Sequence, residues 1–148
     1  MQATPVSITA LMTAYIRAYH STNDNPVIFN DSLGLQLIPE ERRKLIEQGL
    51  SSSKSDLRKL LQTMGLPNVV SRARYTEDTL AKEIKSGVKQ YVILGAGLDT
   101  FAFRHDELLN DIHVFEVDQA NTQEFKRKRL VDLGWKIPTN RRGQFSDL

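Results

Sequence analysis

Gln90-Tyr91-Val92-Ile93-Leu94-Gly95-Ala96-Gly97 opens, and Ile112-His113-Val114-Phe115-Glu116-Val117-Asp118 closes, the stretch on which the reading of this chain turns. Each is a short run of strand formers, the first stopped by a glycine turn and the second by a carboxylate. Glycine lets a backbone approach a ligand closely, and a carboxylate at a strand end accepts hydrogen bonds from two ribose hydroxyls. Asp118 follows Gly95 by 23 positions, near the ~20 expected for a ribose-binding acid. Glu116 competes with it, because residues two apart in a strand point the same way. Asp118 is better placed at the strand's carboxyl end, where ligands bind. The pairing predicts a site for a nucleoside-bearing cofactor. Backbone N–H groups of the turn are expected to face the ligand at a helix N-terminus. The third glycine of the dinucleotide fingerprint is missing, since Thr100 stands in its place. A nicotinamide dinucleotide-binding oxidoreductase domain, NAD(P)-dependent, is therefore the weaker of two enzyme readings.

Outward from this stretch the chain alternates. The glycine turn leads to a short helical piece over 98–109, and Asp118 leads to a helix over 121–133 stopped by Gly134. A weak third strand is expected at Gln144-Phe145-Ser146. Alternating strands and helices imply parallel pairing with helices on the faces. Upstream, the chain reads as helices. Thr4-Pro5 is a start signal, and Ile8, Leu11, Met12, Tyr15, Ile16 and Tyr19 form one face. Pro39-Glu40-Glu41 opens a second helix and Gly49 closes it. Ser55 is expected to cap a third, with Leu57, Leu60, Leu61 and Met64 as its apolar face and Gly65 with Pro67 as its stop. A fourth is expected over 68–86, with Val69, Val70, Ala73, Leu80 and Ile84 facing the core and Gly87 ending it.

The expected fold class is α/β. A helical segment over 1–88 precedes the first half of a Rossmann-like parallel sheet over 89–148. With 148 residues and so few strands, the sheet reads as truncated.

Composition narrows the function classes. At 40% hydrophobic and 26% charged, the chain suits a globular protein and not a membrane protein or a disordered one. A formal charge of +2 makes no case for nucleic-acid affinity. The chain has no cysteine, which removes thiolate catalysis and fits a reducing, cytoplasmic setting. No apolar run reaches the ~18 residues of a membrane span, and no signal peptide is read at the N-terminus. His20, His105 and His113 lack metal-ligand spacing, so neither a metal site nor a catalytic histidine is expected. Lys126-Arg127-Lys128-Arg129 spreads around a helix and reads as a solvated face. Trp135 reads as a packing residue.

Gly95-Ala96-Gly97-Leu98-Asp99-Thr100, Arg104, Phe115-Glu116-Val117-Asp118-Gln119 and Lys126 together resemble the leucine carboxyl methyltransferase family. The resemblance extends to Ile8-Thr9-Ala10, Arg17-Ala18, Ile28-Phe29-Asn30-Asp31, Ser71-Arg72-Ala73-Arg74-Tyr75 and Asp147-Leu148. It implies a methyltransferase using S-adenosyl-L-methionine, with methyl transfer to a carboxylate or hydroxyl of a small-molecule substrate. It also implies residue roles: Gly95, with Gly97 in the same turn, contacting the methionine part of the cofactor, Asp118 the ribose, and Asp147-Leu148 the adenine. Arg72 or Arg74 would pair with the cofactor's carboxylate, as a planar guanidinium fork suits a carboxylate. Asp99 is open between capping backbone N–H groups and reaching the cofactor's ammonium. No catalytic base is assigned. An inactive remnant is the third reading, suggested by the few strands.

Overall fold

The computed structural model describes residues 6–50, 54–63 and 65–136. The expected strand at 144–146 and the pair Asp147-Leu148 lie outside them. Among the described residues five helices come first: α1 Ile8–Asn23, α2 Gly34–Leu37, α3 Glu40–Leu50, α4 Lys54–Thr63 and α5 Leu66–Lys85. Then follow β1 Gln90–Leu94, α6 Phe101–Arg104, a 3-10 turn Asp106–Asn110, β2 His113–Val117 and α7 Ala120–Asp132. The two strands pair in parallel, with Gln90 opposite His113 and Leu94 opposite Val117. A right-handed crossover through a helix is the usual way to bring consecutive parallel strands together; here α6 and the 3-10 turn lie in the connection.

Side-chain chemistry explains several boundaries that differ from the sequence reading. α1 starts at Ile8, where the Ser7 hydroxyl accepts from the Ala10 N–H at 3.4 Å and so caps the helix; the expected start signal Thr4-Pro5 lies outside the described residues. Ile8 is 77% exposed and lies off the buried face, which is made by Ala10, Leu11, Ala14, Tyr15, Ile16 and Ala18. Ser55 lies inside α4. Pro67 does not terminate α4. It sits in the first turn of α5, where a missing N–H costs no helical hydrogen bond. Gly65, at φ 99°, supplies the left-handed bend between the two helices. α2 was unforeseen; its four residues carry too little periodicity to announce a helix.

The main core joins α1 (Leu11, Tyr15, Ile16) to Leu37, Ile38, Leu57, Leu61, Leu66 and Val70, and on to Leu98 and Leu130 from the second half. Burial of a leucine of this kind stabilises by about 1.5–3 kcal/mol. A second cluster, Leu80, Phe101 and Ile112, takes in Tyr91, Ile93 and Val114 from one sheet face. Val92 and Leu94 point the other way and are exposed. Among the described residues β1 pairs with β2 alone, so its outer edge carries no strand. Trp135 packs against Phe103, with ring centroids 5.2 Å apart. Among the described residues, no helix is long and apolar enough to cross a membrane.

Candidate cofactor site

The bend after β1 is where the strand ends meet. Gly95 and Gly97 have φ of 68° and 55°, values that side chains resist at a cost of about 1–2 kcal/mol. The N–H groups of Gly95 and Ala96 both donate to the Val117 carbonyl, at 2.8 and 3.1 Å. The Gly97 N–H donates to Asp118 Oδ2 at 2.6 Å. This corrects one expectation: these N–H groups are spent on locking the turn to the end of β2. No helix starts at the turn either, since α6 begins only at Phe101. What Gly95 offers a ligand is room, because a Cβ there would meet nothing within 4 Å. Gly97 is buried and serves the scaffold, since a Cβ there would stand 3.1 Å from the Ala10 Cβ of α1. Gly97→Ala is therefore expected to lower unfolding free energy by about 1–3 kcal/mol, with Gly95→Ala costing less because it adds strain without the contact. Urea unfolding of the two variants checks the order.

Asp118 is half-buried at the end of β2. Its Oδ1 accepts from the Gln119 N–H at 2.7 Å while Oδ2 holds Gly97. A carboxylate can accept about four hydrogen bonds, so two backbone donors orient it without filling it. Asp118 and the glycine turn are thus in direct contact.

Two recesses adjoin and share Ala96. A small one, about 10 Å³, is lined by Gly97, Glu116, Asp118 and Lys126 among others. A larger cleft of about 390 Å³ runs along β1 between α5 and α1; Thr13, Arg17, Arg72, Tyr91, Gly95 and Asp99 line it. The structure separates the two arginines that the sequence left open. Arg72 lines the cleft, and its guanidinium has no ion-pair partner among the described residues. Arg74 lies outside it, exposed and paired with Asp78 at 2.8 Å. Asp99 takes the first of the two roles weighed for it, since Oδ1 accepts from the Phe101 N–H at 2.7 Å, and the residue also lines the cleft. Burial and then the nearby Asp99 push the Tyr91 hydroxyl up to about 12. It is a neutral donor near pH 7 and not a base.

The basic run on α7 is where the sequence reading fails most clearly. Lys126 is buried, not solvated: its ammonium donates to Glu116 and to the Asp99 carbonyl, each at 2.5 Å. Arg129 donates to the carbonyls of Gln36 and Leu37, and Lys128 is exposed. The missed signal was spacing. Thr122, Lys126 and Leu130 recur at i, i+4 and i+8 on one buried stripe. Burial pushes the Glu116 carboxyl up, with Lys126 opposing and Asp99 adding to the rise.

A second polar group joins the helical segment to the turn. Asp31, fully buried, accepts from Arg17 Nε at 2.7 Å, from Thr100 Oγ1 at 2.5 Å and from the Gly34 N–H at 3.1 Å. Arg104 makes a bidentate pair with Glu77 of α5 and donates to Thr100. His20 has both ring nitrogens engaged, Nδ1 with Asp24 and Nε2 accepting from the N–H groups of Ile28 and Phe29; that is a structural role. Among the described residues no group of three or more His, Cys, Asp or Glu side chains could hold a metal ion.

Known proteins are similar to this chain over nearly all of its length. The chain is 39% identical over 154 residues to "Putative S-adenosyl-L-methionine-dependent methyltransferase YktD" of Bacillus subtilis strain 168, an alignment covering 93% of this chain and 51% of that protein. Two proteins of Mycolicibacterium smegmatis named putative S-adenosyl-L-methionine-dependent methyltransferases are 32% and 34% identical, each across 99% of this chain and 49% of their own length. The chain spans about half the length of the curated relatives it matches. The family model described as leucine carboxyl methyltransferase matches residues 10–148. With nearly all of its length matched, the chain belongs to the leucine carboxyl methyltransferase family.

Proposed function

We propose that this chain forms the cofactor-binding half of an S-adenosyl-L-methionine-dependent methyltransferase that methylates a carboxylate or hydroxyl oxygen of a small molecule. The observation that carries the reading is the convergence of Asp118 on the turn of Gly95 and Gly97, beside a cleft lined by Arg72, which has no ion-pair partner among the described residues. In this reading Asp118 receives the ribose hydroxyls. Gly95 leaves space for the methionine part, and Arg72 receives its carboxylate through a planar fork. Asp147 and Leu148, outside the described residues, are assigned to the adenine. The helical segment 1–88 and the sheet segment 89–148 act as one unit, the first supplying Arg72 and the second the turn. When bound, the cofactor supplies a methyl group on a sulfonium, so the protein's task is to align the acceptor and keep water out. A carboxylate acceptor needs no base. No side chain of the cleft is assigned as one, and Tyr91, held neutral, is not a candidate.

The two arginines test this reading. Arg72→Ala is expected to weaken binding of S-adenosyl-L-methionine roughly tenfold or more, the effect of losing a charge-assisted pair. Arg74→Ala, at an exposed position, is expected to leave it unchanged. Isothermal calorimetry on both variants reads the difference, and equal affinities would remove Arg72 from the site.

A further inference from the structure

Five consecutive residues, Gly97 to Phe101, are each tied down by a separate bond. The Gly97 N–H goes to Asp118, the Leu98 carbonyl to Arg17 at 3.1 Å and the Asp99 carbonyl to Lys126. The Thr100 hydroxyl goes to Asp31, and the Phe101 N–H to the Asp99 carboxylate. Two of these anchors are cations that each hold a buried carboxylate with the same head group: Arg17 with Asp31 and Lys126 with Glu116. The first pair comes from the helical segment, the second from β2 and α7. They grip adjacent carbonyls. We propose that Arg17 and Lys126 form a two-sided clamp that sets the peptide planes at 98–100, making them positioning residues for the cofactor-binding turn and making cofactor affinity depend on the N-terminal helix. The inference rests on the cofactor reading above for its ligand, and on the contacts alone for the clamp.

The physical logic is preorganisation. A turn that must be ordered on binding subtracts that cost from affinity, and a turn ordered beforehand does not. Ion pairs are an economical choice at this place only because each cation also satisfies a backbone carbonyl of the turn. A buried pair by itself is poor evidence for stability, so replacing it by packed neutral groups should trouble the fold little while releasing the turn.

Two variants avoid leaving a buried charge alone. Arg17→Lys keeps a cation beside Asp31 but lacks the planar fork that reaches the carboxylate and the Leu98 carbonyl together. The double variant Glu116→Gln/Lys126→Met removes both charges on the other side. Each is studied without ligand by amide hydrogen exchange and with S-adenosyl-L-methionine by calorimetry. The clamp predicts exchange about tenfold faster at the Leu98–Phe101 amides than in wild type, with α1 and α5 unchanged, and affinity lower by a similar factor. Unchanged exchange at the turn, or an equal rise throughout α1 and α5, overturns the clamp. Faster exchange with unaltered affinity overturns its role in positioning. A wild-type chain without measurable affinity for S-adenosyl-L-methionine counts against the cofactor reading instead, and the exchange result still decides the clamp.

Discussion

Asp118→Ala should reduce affinity for S-adenosyl-L-methionine by about 30-fold to 1000-fold, the cost of losing two hydrogen bonds to a charged acceptor at ~1–2 kcal/mol each. The loss has a second source. Asp118 also holds the Gly97 N–H at 2.6 Å, so its removal frees the turn that the ligand must meet. Asp118→Asn separates the two contributions. An amide oxygen can still accept from Gly97, and it keeps the shape, but it lacks the charge. Affinity for the Asn variant is therefore expected between wild type and Ala. Equal affinities of all three in calorimetric titrations would take the carboxylate out of the ribose role.

The largest expected effect on stability is Lys126→Met. It leaves the Glu116 carboxylate buried without its cation, a change that costs about 3–5 kcal/mol when one partner of a buried pair is removed. The pH dependence follows from the direction of the Glu116 shift. Its carboxyl is raised in the folded protein by burial, with Lys126 pulling it back. Removing Lys126 raises it further. A carboxyl whose folded value lies above its unfolded value binds more protons in the native state, so stability falls as pH rises through the folded value. The destabilisation by Lys126→Met is thus expected to be largest at pH 8 and to shrink toward pH 5 as Glu116 takes up a proton. Urea unfolding at the two pH values measures it. A pH-independent loss would mean that Lys126 acts by packing and not by charge.

The parts of this fold that were legible are those in which a local rule decided alone. β1 and β2 announced themselves as short β-branched and aromatic runs with definite stops, and the stops at Gly87 and Gly134 are left-handed positions, at φ 104° and 66°. Asp118 was legible because a fixed sequence distance tied it to Gly95. Tertiary partners decided the rest. Whether Lys126 is solvated depends on Glu116 and Asp99 waiting in the interior, which a count of successive charges cannot reveal. Arg72 and Arg74 differ by two positions on α5, about 200° around a helix, and only the placement of β1 beside one face made them inequivalent. The turn's N–H groups looked free for a ligand until the parallel register brought the Val117 carbonyl under them. Pro67 read as the end of one helix but stands in the first turn of the next, because proline is compatible with both places.

The most direct trial is a calorimetric titration of the wild-type chain with S-adenosyl-L-methionine and, separately, with NAD. The site as described predicts saturable one-to-one binding of S-adenosyl-L-methionine that Asp118→Ala weakens, and no comparable uptake of NAD. Preferential binding of NAD, or binding of the sulfonium compound that is indifferent to Asp118, would contradict it.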